Sequence, residues 1–180
     1  MDVFQAIRER RSIRRFRSEP IPEKNIDEIL DAARWAPSAG NRQPWEFIII
    51  RDPQIKRYLC SAAHGQNCIE MAPLAIVICA NEMRSAKIYG DRGRRFYSLL
   101  DAAAAIQNML LASHAHGLGA CWIGAFDDEG VQQILNLPLD VKPIAIVPLG
   151  YPDENPEPPL RIAIHELVHR NRYQLHARGK

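Results

Sequence analysis

The chain lacks a CxxC pair, an unbroken apolar run of membrane length, a strong excess of one charge and any familiar nucleotide fingerprint. Its four cysteines, Cys60, Cys68, Cys79 and Cys121, are scattered, and two sit inside apolar runs. That spacing excludes a disulfide framework and reads as buried thiols in a reducing, cytoplasmic compartment. Residues 102–126 contain no Asp, Glu, Lys or Arg, but Gln107, Asn108, Ser113, His114, His116 and three glycines interrupt them. A buried segment of a soluble protein is therefore expected, and no membrane span. The first residues carry Asp2, Arg8, Glu9 and Arg10 and no apolar stretch of signal-peptide type. Twenty-three Lys and Arg against 21 Asp and Glu leave a net charge of +2. So small a charge gathers neither nucleic acid nor membrane, and any basic function must come from a local cluster. No G-x-G-x-x-G opens a helix after a strand, and there is no Walker A motif.

What is present is globular composition, with 47% apolar and 24% charged residues over 180 positions. A chain of that length buries roughly 70% of its unfolded surface and needs no staple. One domain is expected over residues 1–173, with an arm from about 151 and a flexible basic tail at 174–180. Asp2 caps a first helix with Val3, Phe4 and Ile7 on one face. Residues 13–16 read as extended. Pro22 opens a helix whose stripe is Ile26, Ile29, Leu30 and Ala33, ending near Trp35 because Pro37 follows. Strands are expected at Trp45–Ile50, residues 74–80, residues 119–123 and residues 141–149, the last interrupted by Pro143. Asp52-Pro53 starts a short helix, residues 96–116 form the longest one, and Asp127 caps another through Leu137. Residues 153–159, with three prolines and three acids, form the arm. Residues 162–172 form a final short helical stretch. The class is α+β, with a central mixed or antiparallel sheet flanked by helices. The long helix is apolar nearly all round, so burying it calls for a second subunit.

Four constellations could carry chemistry. In Arg10-Arg11-Ser12-Ile13-Arg14-Arg15-Phe16, flanked by Arg8 and Arg17, six arginines fall within ten residues. Arginine forks match phosphate oxygens bidentately, and Ser12 adds a hydroxyl donor. A solvated basic turn is the plain alternative. A nucleic-acid patch is another, weakened by the lack of stacking aromatics. Pro37-Ser38-Ala39-Gly40-Asn41-Arg42-Gln43-Pro44-Trp45 places short polar groups on a loop between prolines, suited to a heterocycle edge or simply to a tight turn. Gly117-Leu118-Gly119-Ala120-Cys121-Trp122-Ile123-Gly124 leaves backbone accessible to a flat ligand, or caps a helix before a strand. His165-Glu166-Leu167-Val168-His169 matches H-E-x-x-H, which on a helix puts two histidines on one face. A catalytic zinc needs a third protein ligand, and no acid follows His169 to provide one. No metal is assigned.

Taken in order, the first three constellations and a proline-rich arm carrying Arg161 make the chain resemble the FMN-dependent nitroreductase family, from Asp2 to about Tyr173. The resemblance implies an α+β flavoprotein homodimer with tightly bound FMN at the subunit interface and the long helix at that interface. It implies that Arg10, Arg11 and Ser12 hold the FMN phosphate and ribityl chain, and that Arg14 lies near flavin N1 and O2. Ser38 and Ala39 would reach the flavin from the partner subunit, with Asn41 and Gln43 supplying amides near the ring. Trp122, Ile123 and Gly124 would line the ring, and Arg161 would bind phosphate. It further implies ping-pong hydride transfer from NADH or NADPH through flavin N5 to nitroaromatics, quinones or other electron-poor small molecules. The chemistry belongs to the flavin, so no side chain is named as catalytic. A dehalogenase or flavin-cleaving specialist of the same fold, covered by a lid at residues 81–95, is the enzymatic alternative. A flavin-binding sensor without turnover is the non-enzymatic one.

Overall fold

Four apolar runs pair into one antiparallel sheet in a computed structural model, which describes residues 1–173. The basic tail expected at 174–180 lies outside the described residues. The strands are β1 (Trp45–Ile50), β2 (Leu74–Asn81), β3 (Gly119–Ala120) and β4 (Val141–Gly150), in the order β1-β2-β4-β3. Strand β2 lies at the centre and is buried from Leu74 to Ala80. Successive side chains leave a strand on opposite faces. Leu74, Ile76, Ile78 and Ala80 pack on one side with Ile26, Ile29, Ala33, Ile106 and Met109. Ala75, Val77 and Cys79 pack on the other with Leu59, Ile69, Val131 and Ile123.

The helices filling those two layers are α1 (Val3–Glu9), α2 (Glu23–Arg34), α3 (Pro53–Ala62), α4 (Cys68–Met71), α5 (Glu82–Arg92), α6 (Ser98–Ala115) and α7 (Asp128–Leu135). A short α8 (Ile164–Leu167) lies in the arm. Their starts follow local chemistry. The Asp2 carboxylate accepts the Gln5 N–H, and that of Asp52 accepts those of Gln54 and Ile55, with Pro53 in the first turn. Helix α6 buries Ala102, Ala105, Ile106, Met109 and Ser113 against the sheet, spaced by three and four residues. Its opposite face leaves Leu100 exposed.

Several boundaries differ from the sequence expectation. Helix α6 begins at Ser98 because residues 93–97 form a wide turn that closes against α5. There Gly93 has no room for a side chain beside the Ser85 carbonyl. Helix α7 stops at Leu135, where Asn136 takes a left-handed conformation. Strand β4 runs straight through Pro143: Ile78 faces Ala145 and Cys79 faces Pro143, so Ile144 is the extra residue of a bulge that absorbs the proline. The expected strand over residues 119–123 breaks after Ala120 and touches β4 again only at Ile123, opposite Ile146. Continuing the register places Pro148 opposite Cys121, and proline has no N–H to complete the ladder. The expected helix over residues 162–172 is reduced to α8. On α1, Val3, Phe4 and Ile7 are exposed, and Ala6 is the buried residue.

Candidate functional site

The arginine-rich segment leaves α1 and is drawn onto the sheet edge. Ser12 bridges Ala120 in parallel sense, and the Ile13 N–H donates to the Ala120 carbonyl at 3.0 Å. Gly119 permits this approach, since a Cβ there would sit 2.7 Å from Ile13 Cβ. Ile13 and Phe16 bury themselves in the layer that also holds Cys121 and Ile123. The arm then covers the segment. The Arg17 N–H donates to the Tyr151 carbonyl at 2.9 Å, and the Asp153 N–H to that of Arg15 at 3.0 Å.

This arrangement brings Arg10, Ser12 and Arg14 close to Cys121, with Arg11 and Arg161 close to Arg10. Burial lowers the pKa of Arg10, and the like charges of Arg161 and Arg11 lower it further. Burial pushes the Cys121 thiol up, while Arg14, the Ser12 hydroxyl and Arg10 pull it down and Glu154 raises it. Those groups therefore converge on one point of the chain. Trp122 and Gly124 are exposed and Ile123 is buried, because the broken ladder releases the chain on either side of the Ile123–Ile146 bridge. Arg11 is oriented differently from its neighbours. Its Nη1 donates to the carbonyls of Arg8 and Arg10, at 2.8 and 3.0 Å, closing the end of α1. Its Nε is buried without a partner, as is His114 Nε2. Both residues line a cavity of about 270 Å³ between the ends of α1 and α6 and the arm.

The loop at residues 38–43 is built by side chains. Gly40, Asn41 and Gln43 all have positive φ, at 54°, 54° and 48°. The Ser38 hydroxyl accepts the Gln43 N–H at 3.0 Å, and Gln43 Nε2 donates to Asn41 Oδ1 at 3.1 Å. Asp101 of α6 accepts the Ala39 N–H at 3.1 Å. Arg42 Nε donates to the Arg84 carbonyl at 3.0 Å, and Arg84 returns a bond to the Gln43 carbonyl at 3.0 Å while pairing with Glu46. Ser38, Ala39, Asn41 and Gln43 thus stand together, tied to α5 and α6.

Two acids here escaped the sequence reading. Asp101 is 7% exposed, with Oδ2 buried and unpartnered. Burial raises its pKa and the Ala39 N–H opposes the rise. Its signal was its place at the very edge of the uncharged stretch. Glu154 carried no signal, as one acid among several in a proline-rich arm. The H-E-x-x-H motif lacks its helix: α8 ends at Leu167, Val168 is extended, and His169 packs on Tyr173 with ring centroids 4.3 Å apart. Among the described residues no group of three His, Cys, Asp or Glu is placed to hold a metal.

The sequence profile of the nitroreductase family matches residues 7–70 and 62–151. The chain belongs to the nitroreductase family. A Thermus thermophilus protein named NADH dehydrogenase is 35% identical over 195 residues, spanning 93% of this chain and 95% of that one. The NADPH-flavin oxidoreductase of Vibrio harveyi is 31% identical over 180 residues, spanning 96% and 75%. Among solved structures, the Vibrio harveyi NADPH:FMN oxidoreductase complexed with NAD+ superposes with a TM-score of 0.89 at 30% identity. That match covers 97% of this chain and 79% of the other. The antiparallel sheet and long α6 described above are thus the nitroreductase fold.

Proposed function

We propose that the chain is an NAD(P)H-dependent FMN oxidoreductase that passes hydride by a ping-pong route to nitroaromatics, quinones or similar electron-poor small molecules. The observation that carries this reading is the convergence of Arg10, Ser12 and Arg14 on Cys121, where the strand opens, with Arg161 beside Arg10. Arg10 and Arg161 face one another with like charge, and the buried Arg11 Nε has no partner. Such a set is costly alone and fits a phosphate dianion. FMN, when bound, supplies reversible hydride chemistry at its N5.

The residues of the chain bind and orient. Arg10 and Arg161 hold the phosphate, Arg11 braces the end of α1 beside it, and Ser12 offers a hydroxyl to the ribityl chain. Arg14 sets a cation toward the pyrimidine end of the ring, favouring the reduced anion. Gly124, exposed and without a Cβ, lets a flat ring approach the main chain. Ser38 and Ala39 come from the partner subunit of a homodimer and present hydroxyl and backbone groups to the ring, and Asn41 and Gln43 supply amides near it. Exposed Phe4, Ile7, Trp35, Leu100, Leu160 and Ile164 support that dimer, because a monomer rarely leaves so much apolar surface in water. Residues 1–173 act as one FMN-binding unit with its arm starting near 151. Four buried free thiols suit a reducing, cytoplasmic setting. No described helix is long and apolar enough to cross a membrane.

An absorption spectrum of the purified protein tests this, taken before and after anaerobic NADH and, in parallel, NADPH. Flavin bands that bleach with either donor are expected. A colourless protein that takes up no added FMN sinks the reading, and bands that persist with both donors favour a flavin-binding sensor.

A further inference from the structure

Glu154 sits at the start of the arm and meets the cradle from outside. Its Oε1 accepts the backbone N–H of Arg14 at 2.6 Å and that of Arg15 at 3.3 Å. Its Oε2 lies 3.9 Å from the Arg15 guanidinium, and 23% of the side chain is exposed. Two successive N–H groups turned onto one oxygen form a concave anion nest. Here the occupant is a carboxylate from 140 residues away in the same chain. Main-chain bonds close the contact on one side, from Asp153 to Arg15 and from Arg17 to Tyr151, and Phe16 pairs with Pro152. Glu154 also stands close enough to Cys121 to act on its thiol, alongside Arg14, Ser12 and Arg10.

We propose that Glu154 is a positioning residue of the FMN cradle. By filling the Arg14–Arg15 nest it fixes the point at which the Arg14 side chain leaves the backbone, and it locks the start of the arm that carries Arg161 to Arg10. The cation on the ring side and the cation on the phosphate side are then set by one contact. This rests on the FMN reading above. Its electrostatic corollary is that a negative charge beside Arg14 offsets part of that cation's pull on a reduced, anionic flavin. Geometry and charge separate cleanly by substitution. Glu154→Gln keeps an oxygen that accepts both N–H groups but removes the charge, whereas Glu154→Ala removes both.

The test measures FMN dissociation by flavin fluorescence and the midpoint potential of the holoprotein, for wild type, E154Q and E154A. E154A is expected to release FMN about tenfold more readily or worse, as loss of charge-assisted hydrogen bonds does. E154Q is expected to bind oxidised FMN nearly as wild type does and to shift its potential upward. Wild-type affinity and potential in both variants overturn the proposal. Weakened binding in E154A with an unmoved potential in E154Q also overturns it, leaving a structural arm contact. Should E154A fail to fold, the potential of E154Q decides alone. A wild-type protein that binds no FMN defeats the functional reading itself, and does so before any substitution is made.

Discussion

Residues 10–14 are held to the molecule mainly through their main chain, and residues 38–43 mainly through side chains. The first segment pairs with Ala120 on one side and with the arm on the other, using backbone N–H groups throughout, with Glu154 as the one side-chain acceptor. Its arginines are thereby released from structural duty, Arg11 excepted, and are free for the ligand role proposed above. The second segment has three left-handed residues and leans on Asp101, Arg84 and its own Ser38. Its polar side chains are partly spent on shaping the loop itself. Charge is supplied where main-chain pairing makes side chains free, and neutral polarity is supplied where side chains hold a strained turn.

Three variants sharpen that contrast, beginning with the largest effect. Arg10→Ala combined with Arg161→Ala removes the two cations proposed to bind phosphate but no structural bond. FMN affinity is expected to fall by more than about 100-fold, with the apoprotein melting temperature unchanged or slightly raised by relief of like charge. Equilibrium dialysis and a thermal melt check both halves. Gly119→Ala attacks the main-chain side instead, by driving a Cβ into Ile13. It is expected to cost about 1–3 kcal/mol of stability in a urea titration and to weaken FMN binding with it. The converse, lost stability with an undisturbed flavin site, would mean that the cradle is not anchored through β3.

Asp101→Asn probes the side-chain-held loop and gives the smallest change. It keeps an oxygen for the Ala39 N–H, so it shifts stability by less than about 1 kcal/mol at low pH. The pH dependence is the sharper reading. Burial raises the folded pKa of Asp101, so its contribution is fully present below the ordinary carboxylate range. That contribution is lost as pH rises through the raised value. Denaturant midpoints from acid to neutral pH should fall in wild type across that window and stay flatter in the variant. Equal slopes would place the burden on other groups.

Local rules made much of this legible. Proline, aspartate caps and apolar period located α2, α3, β1, β2 and the body of α6 within a residue or two. The arginine density of residues 8–17 and the polar loop at 38–43 both pointed to the segments from which the proposed site is drawn. What escaped depends on partners far away in sequence. The break at Cys121 is made by Pro148, 27 residues on, and neither segment announces it alone. Asp101 acts on a residue 62 positions away, and Glu154 on one 140 away. The arm defeated the period argument because its apolar residues Leu160, Ile162, Ile164 and Leu167 are exposed on this chain. An H-E-x-x-H string likewise says nothing unless a helix supports it, and here the helix stops at Leu167.

The four cysteines have a use that their burial creates. All are free and buried, and burial pushes every thiol up, that of Cys79 to about 12 with Glu46 adding to the rise. Only the thiolate reacts with an alkylating reagent, so the folded chain is silent to one until some part of it opens. Cys121 lies under the cradle and Cys79 in the innermost strand. The modification rate at one thus clocks how often the arginine-rich segment lifts from the sheet edge, and at the other how often the whole sheet comes apart.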